Sequence, residues 1–169
     1  MTAGVRSHSV AMVVLALTSL AAPARADRWF VDVEPVAIHA SADDHALSSM
    51  FVVSAGRRAA VGATIGYAGV GAGLLTVQAR LGALVPLGPT WVARVELRPQ
   101  VSLPCAESAV LGGLGLGYRI SRDGTPVTVI GAAETGPGWA RTMCGPDVPL
   151  GPTHRTWFTG GTLSIAIGL

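Results

Sequence analysis

From Thr90 to Leu103 the chain reads TWVARVELRPQVSL, and apolar and polar residues alternate along it with hardly a break. Trp91, Ala93, Val95, Leu97, Pro99, Val101 and Leu103 are apolar, and Arg94, Glu96, Arg98, Gln100 and Ser102 lie between them. Period two is the side-chain period of a β-strand with two unlike faces. Seven further segments carry the same signal between clusters of Gly, Pro, Asp and Ser, as all-β chains do. They run over 28–38, 47–55, 58–67, 74–85, 108–120, 126–136 and 156–169, with the opening strand fifth of the eight. Gly56-Arg57 reads as a tight turn, 68–73 as a glycine-rich loop, 39–46 as a polar loop and 137–155 as a long Gly/Pro-rich loop.

Eight antiparallel segments fit either a soluble barrel or sandwich with apolar faces inside, or a membrane barrel with apolar faces outside. The second face decides. In segments 58–67, 108–120 and 156–169 it is built of Gly, Ala, Thr and Ser, which cover a water-exposed sheet poorly but suit the crowded interior of an eight-stranded barrel. The expected fold is therefore an all-β, eight-stranded, antiparallel, up-and-down transmembrane β-barrel with its apolar faces toward lipid. Alternating strand directions from an inner start place Trp29, Trp91 and Tyr118 at one rim and Tyr67, Trp139 and Trp157 at the other. Two such aromatic girdles match the two interfaces of a bilayer.

The charged residues then fall inside. Asp32, Glu34, Arg58, Arg80, Arg94, Glu96, Arg98 and Glu134 share the inner faces, with Arg119 a further inward candidate. Unpaired buried charges are strongly destabilising, so a closed salt-bridge network is expected among them. Because like charges directly opposite are unfavourable, the hairpin around 86–89 is expected to set Arg80 opposite Glu96 and Gln78 opposite Arg98. Pro35 and Pro99 oppose the reading, since neither can donate to a ladder and a closed barrel has no edge. A bulge near the rim would absorb Pro99.

The N-terminal region reads as a cleaved signal peptide over 1–26. Arg6 precedes the apolar run 11–22, and Ala24-Arg25-Ala26 offers a small-residue cleavage site. The run is too short to span a bilayer as a helix. One barrel domain, 27–169, follows. Of the chain's twelve basic residues, all arginine, Arg6 and Arg25 belong to this leader, so the barrel segment balances ten arginines against ten acids. That removes a basic-surface argument for nucleic acid. The absence of lysine argues against a large water-facing surface.

The two cysteines, Cys105 and Cys144, fall in outer loops on one side, and in an exported protein an oxidised pair tying the long last loop to its neighbour is expected. His39 and His45, with Asp43 and Asp44, and His154 match no metal-ligand spacing, so neither a metal site nor any other cofactor is expected. No phosphate-cradling loop, nucleophile elbow or CxxC motif occurs.

In pattern and length the chain resembles the small eight-stranded outer-membrane barrels, such as the OmpA transmembrane domain and OmpX, most specifically in the alternation of Leu163, Ile165, Ile167 and Leu169 along the last strand. The resemblance implies a monomeric, non-enzymatic protein of a Gram-negative outer membrane, with a side-chain-filled lumen rather than an open pore. Its external loops would serve envelope structure or partner contact. Membrane lipids and the outer-membrane assembly machinery, recognising the C-terminal strand, are the implied partners. Two alternatives stand beside it: a lipid-modifying barrel enzyme using His154 and Thr156 with an unplaced carboxylate, and a soluble periplasmic β-barrel binding a small apolar ligand.

Overall fold

The computed structural model describes residues 28–41, 46–102, 105–122, 125–141 and 151–169. The leader region, His45, Asp43, Asp44 and Cys144 lie outside them. Eight strands form one closed antiparallel barrel in which each strand pairs with its sequence neighbours and β1 closes on β8. They are β1 (Arg28–Ser41), β2 (Ala46–Val61), β3 (Thr64–Ala72), β4 (Thr76–Pro86), β5 (Trp91–Ser102), β6 (Glu107–Arg122), β7 (Thr125–Arg141) and β8 (Thr153–Ile167). The described residues contain no helix. Closure leaves no unpaired edge, so the backbone groups of all eight strands can bond within the sheet. The start of β1, the end of β8, the turns at 62–63 and 87–90 and the β6–β7 connection mark one end, the turn end. The β1–β2, β3–β4, β5–β6 and β7–β8 connections belong to the other, the loop end.

The alternation of β5 is sided as its sequence predicts. Val95 and Leu97 are about half exposed, at 51% and 47%, whereas Arg94 and Arg98 are each 1% exposed. The same inversion holds around the barrel: Val77, Leu81, Leu114, Leu116, Leu163, Ile165 and Ile167 face out, and Asp32, Glu34, Arg80, Glu96 and Glu134 face in.

Three segment boundaries differ from the sequence reading. Gly56-Arg57 is no turn but the middle of β2, and 68–72 is strand rather than loop. Their glycines are sockets: a Cβ on Gly56 or Gly69 would run into the Phe30 ring. The turn falls instead at Gly62, whose φ of 63° suits a residue without a Cβ. Pro137 lies inside β7, opposite Trp157, so β7 and β8 both extend beyond their expected ends.

Pro35 sits at an irregularity of β1. On the β8 side Val33 pairs with Ile165 and Val36 with Leu163, so Glu34 and Pro35 together span the one intervening β8 residue, Ser164. Opposite them on β2, Phe51 takes a φ of 53°. Such a bulge accommodates the missing N–H and shifts the side-chain phase by one residue. Consequently Glu34 and Ala37 both face in, and Ala37 does not share the outer face of Val31 as the simple alternation predicts. Pro99 needs no bulge. The β5–β6 register runs straight through Pro99–Val110, and the β4–β5 ladder is only interrupted between Gln78–Gln100 and Leu81–Leu97.

Candidate functional site

The interior is stacked in three layers. Nearest the turn end is an apolar layer of Phe30, Tyr67, Leu84, Val92, Ile130, Ala166 and Leu169. Tyr67 is therefore a correction: it does not join an outer girdle, because the true β2–β3 turn at 62–63 puts it in phase with the inner face. Leu169 is also inside. Gly168, at a φ of 84°, breaks the outward series of Leu163, Ile165 and Ile167 and turns the next side chain into the barrel. Small residues make room for this layer: a Cβ on Gly82 would strike the Tyr67 ring, and one on Gly117 would crowd Val92 and Ile130.

The middle layer is ionic. Arg80 Nη1 is 2.9 Å from Asp32 Oδ2, Arg80 Nη2 is 2.9 Å from Glu96 Oε2, and its Nε donates to the same Glu96 oxygen at 3.0 Å. Tyr67 donates its hydroxyl hydrogen to Glu96 Oε2 at 2.5 Å, which ties the apolar layer to the ionic one. Arg98 bridges Glu34 and Glu134. Arg94 donates to Ser164 Oγ at 3.0 Å and Thr162 Oγ1 at 3.2 Å, with Glu134 Oε1 3.9 Å away. Every expected member of the network except Arg58 takes part.

The expected register between β4 and β5 is wrong. Gln78 pairs with Gln100 and Gly82 with Glu96, a frame that sets Arg80 across from Arg98. The turn dictates it: Leu87 N–H donates to Trp91 O at 2.9 Å and closes the loop on residues 88–90. Two arginines can face each other because each finds its acids elsewhere. Arg98 reaches Glu34 on β1 and Glu134 on β7, while Arg80 reaches Asp32 across the lumen and Glu96 diagonally. A rule built for adjacent strands on a flat sheet omits partners that barrel closure brings within reach.

His39 is the network member that sequence reading missed. Expected in a polar loop, it lies in β1, is fully buried, and places Nε2 2.7 Å from Glu134 Oε2. Only the one-residue shift at Pro35 turns it inward, so the signal was the proline itself. A Cβ on Gly160 would collide with the His39 backbone and ring, which shows how closely β8 passes it.

Beyond the ionic layer, Ala109, Leu111, Ala140 and Phe158 form a second apolar layer toward the loop end. Outside the barrel, Trp29, Trp91 and Tyr118 lie at the turn end, and Trp139 and Trp157 at the loop end, all exposed. Trp91 and Tyr118 face each other across the β5–β6 ladder with ring centroids 5.2 Å apart, edge to face. Trp29 holds the Arg57 guanidinium over its ring at 5.2 Å.

At the loop end Arg141 Nε donates to Cys105 O at 2.7 Å, drawing the end of β7 against the turn before β6. His154 and Thr156 lie on the inner face of β8, paired with Ala140 and Gly138. Among the described residues no group of three or more His, Cys, Asp or Glu is arranged to hold a metal ion.

No protein-family model matches the chain, and no curated protein is significantly similar to it.

Proposed function

We propose that the protein is an integral outer-membrane β-barrel that acts without catalysis, its filled interior serving stability and its loop end facing partners or the envelope exterior. One observation carries the reading: the barrel is apolar on its outside and ionic on its inside. Leu114 is 69% exposed while Arg80, Arg94, Arg98, Glu34 and Glu134 are buried. In water such a sheet would expose far more contiguous apolar surface than a soluble monomer tolerates. In lipid the same face is solvated, and closure satisfies the backbone. Exposed tryptophans at both ends support the same placement.

By this reading the turn end faces the periplasm, and the leader over 1–26 delivers the chain there. Carbonate extraction of bacterial membranes expressing the full chain is the test. The protein is expected in the outer-membrane pellet and to migrate faster on gels unheated than boiled; recovery in the soluble periplasm would end the reading. The ionic middle layer also leaves a small apolar ligand no continuous apolar interior to occupy, which disfavours the soluble binding-protein alternative. The Cys105–Cys144 disulfide is part of the proposal. Arg141, three residues before Cys144, is held against Cys105, so mass measurement of alkylated, unreduced protein is expected to show no free thiols.

A second reading rests on one juxtaposition. Ser108 pairs with Trp139 and Ala140 with His154, so one residue beyond the first pair Glu107 falls in line with Ala140 and His154 on the inner face. That supplies a carboxylate in the same row as His154, near Thr156, which the sequence alone did not place. A lipid-modifying activity would need all three. Acyl release from lipid A or phospholipid by purified protein, abolished in His154→Ala, would favour it over the first reading.

A further inference from the structure

At the turn end the inner face finishes in arginines. Arg28 on β1 and Arg58 on β2 are direct cross-strand partners. Arg119 on β6 continues the inward phase of Gly115 and Gly117, and its field reaches Arg58 together with that of Arg28. Like charges opposed across a ladder are unfavourable, and here they are gathered around one mouth. Among the described residues the acids of the middle layer are engaged deeper, by Arg80, Arg94 and Arg98, and none is within ion-pair distance of Arg28, Arg58 or Arg119. Arg119 Nε and Nη2 are buried from solvent and have no hydrogen-bond partner. Those two nitrogens form the side-on edge of the guanidinium, the planar fork that binds two oxygens of one oxyanion. Beneath them lie the apolar layer of Phe30, Tyr67 and Leu169, whose Tyr67 oxygen is already committed to Glu96, and the buried hydroxyl of Thr128, which pairs with Arg119 across β6–β7 and donates to Leu169 O.

We propose that Arg28, Arg58 and Arg119 form a binding site for a phosphate-type oxyanion at the turn-end mouth of the barrel. The anion would accept from the free edge of Arg119 and neutralise the opposed pair on β1 and β2. The site requires only the closed barrel and not its cellular address. Its phosphate could be a free ion or the headgroup of a lipid.

The full chain, folded in non-ionic detergent without phosphate, is titrated with inorganic phosphate against sodium chloride of equal ionic strength, and the urea midpoint is read by tryptophan fluorescence. Phosphate is expected to raise the midpoint saturably, as a ligand specific to the folded state does. Arg119→Gln and Arg58→Gln are each expected to weaken this response about ten- to a hundredfold in apparent affinity, the equivalent of one charged hydrogen-bonding group. Without phosphate, both variants are expected to unfold no earlier than the parent, because each removes a like charge. A second titration uses dihexanoyl phosphatidic acid. Saturation at lower concentration than inorganic phosphate assigns the site to a lipid headgroup, and saturation at equal or higher concentration assigns it to the free anion. The proposal is overturned if the parent shows no saturable rise, if parent and variants respond equally, which is general salting, or if both variants unfold earlier in phosphate-free buffer.

Discussion

Arg98 carries two carboxylates at once, Glu34 from β1 and Glu134 from β7, in a layer closed off from water on both sides. Removing one partner of a buried pair leaves an uncompensated charge. Arg98→Leu is therefore expected to destabilise the folded barrel by about 3–5 kcal/mol, as measured by urea titration in detergent. Tyr67→Phe keeps the ring in its socket and removes one donor to Glu96. Its expected cost is smaller, about 1.5–3 kcal/mol by the same titration, the range for a hydrogen bond to a charged group. The inward charges of β5 were legible because alternation is a property of neighbouring residues. Tyr67 and His39 were not, since the face of each depends on a turn or bulge several residues away.

At the scale of elements, glycine marks where strands must pass close to something large. Gly160 stands against the backbone of β1 at Ile38 and His39, on the seam that closes the barrel. Gly160→Val is expected to abolish the fast-migrating unheated form on gels, while Gly131→Val, at a position where a Cβ meets nothing, is expected to leave it intact. The sequence displays these glycines but not their partners, which is why Gly56 and the run 68–73 read as turns. β5 was placed most closely because bulky apolar residues fix its phase. The ends of β7 and β8 were missed because Pro137 looks like a terminator, whereas here it faces Trp157 inside the ladder.

For the whole molecule, fold class and sidedness followed from comparing faces, and the β4–β5 register did not follow, because its determinants lie across the lumen. The three-layer interior means that the ionic residues are shielded only once β1 meets β8. Arg94 and its partners Thr162 and Ser164 are 68 and 70 residues apart in sequence, and Arg98 and Glu34 are 64. Contacts of such separation form late. Refolding into detergent is accordingly expected to show strand content by circular dichroism before the compact gel form appears; simultaneous appearance would contradict this order.

The irregularity at Pro35 gives the first strand something akin to a reading frame. Before it, even-numbered residues such as Asp32 and Glu34 point inward; after it, odd-numbered ones such as Ala37 and His39 do. Deleting Pro35 would leave one residue opposite Ser164, so a regular strand would carry Asp32, Glu34, Ala37 and His39 inward in a single alternation and keep the contact between His39 and Glu134. Inserting one residue between Pro35 and Val36, in a strand that keeps only a one-residue bulge, would instead send His39 outward and leave Glu134 without its Nε2 partner. Length, rather than chemistry, is what that short stretch keeps under control.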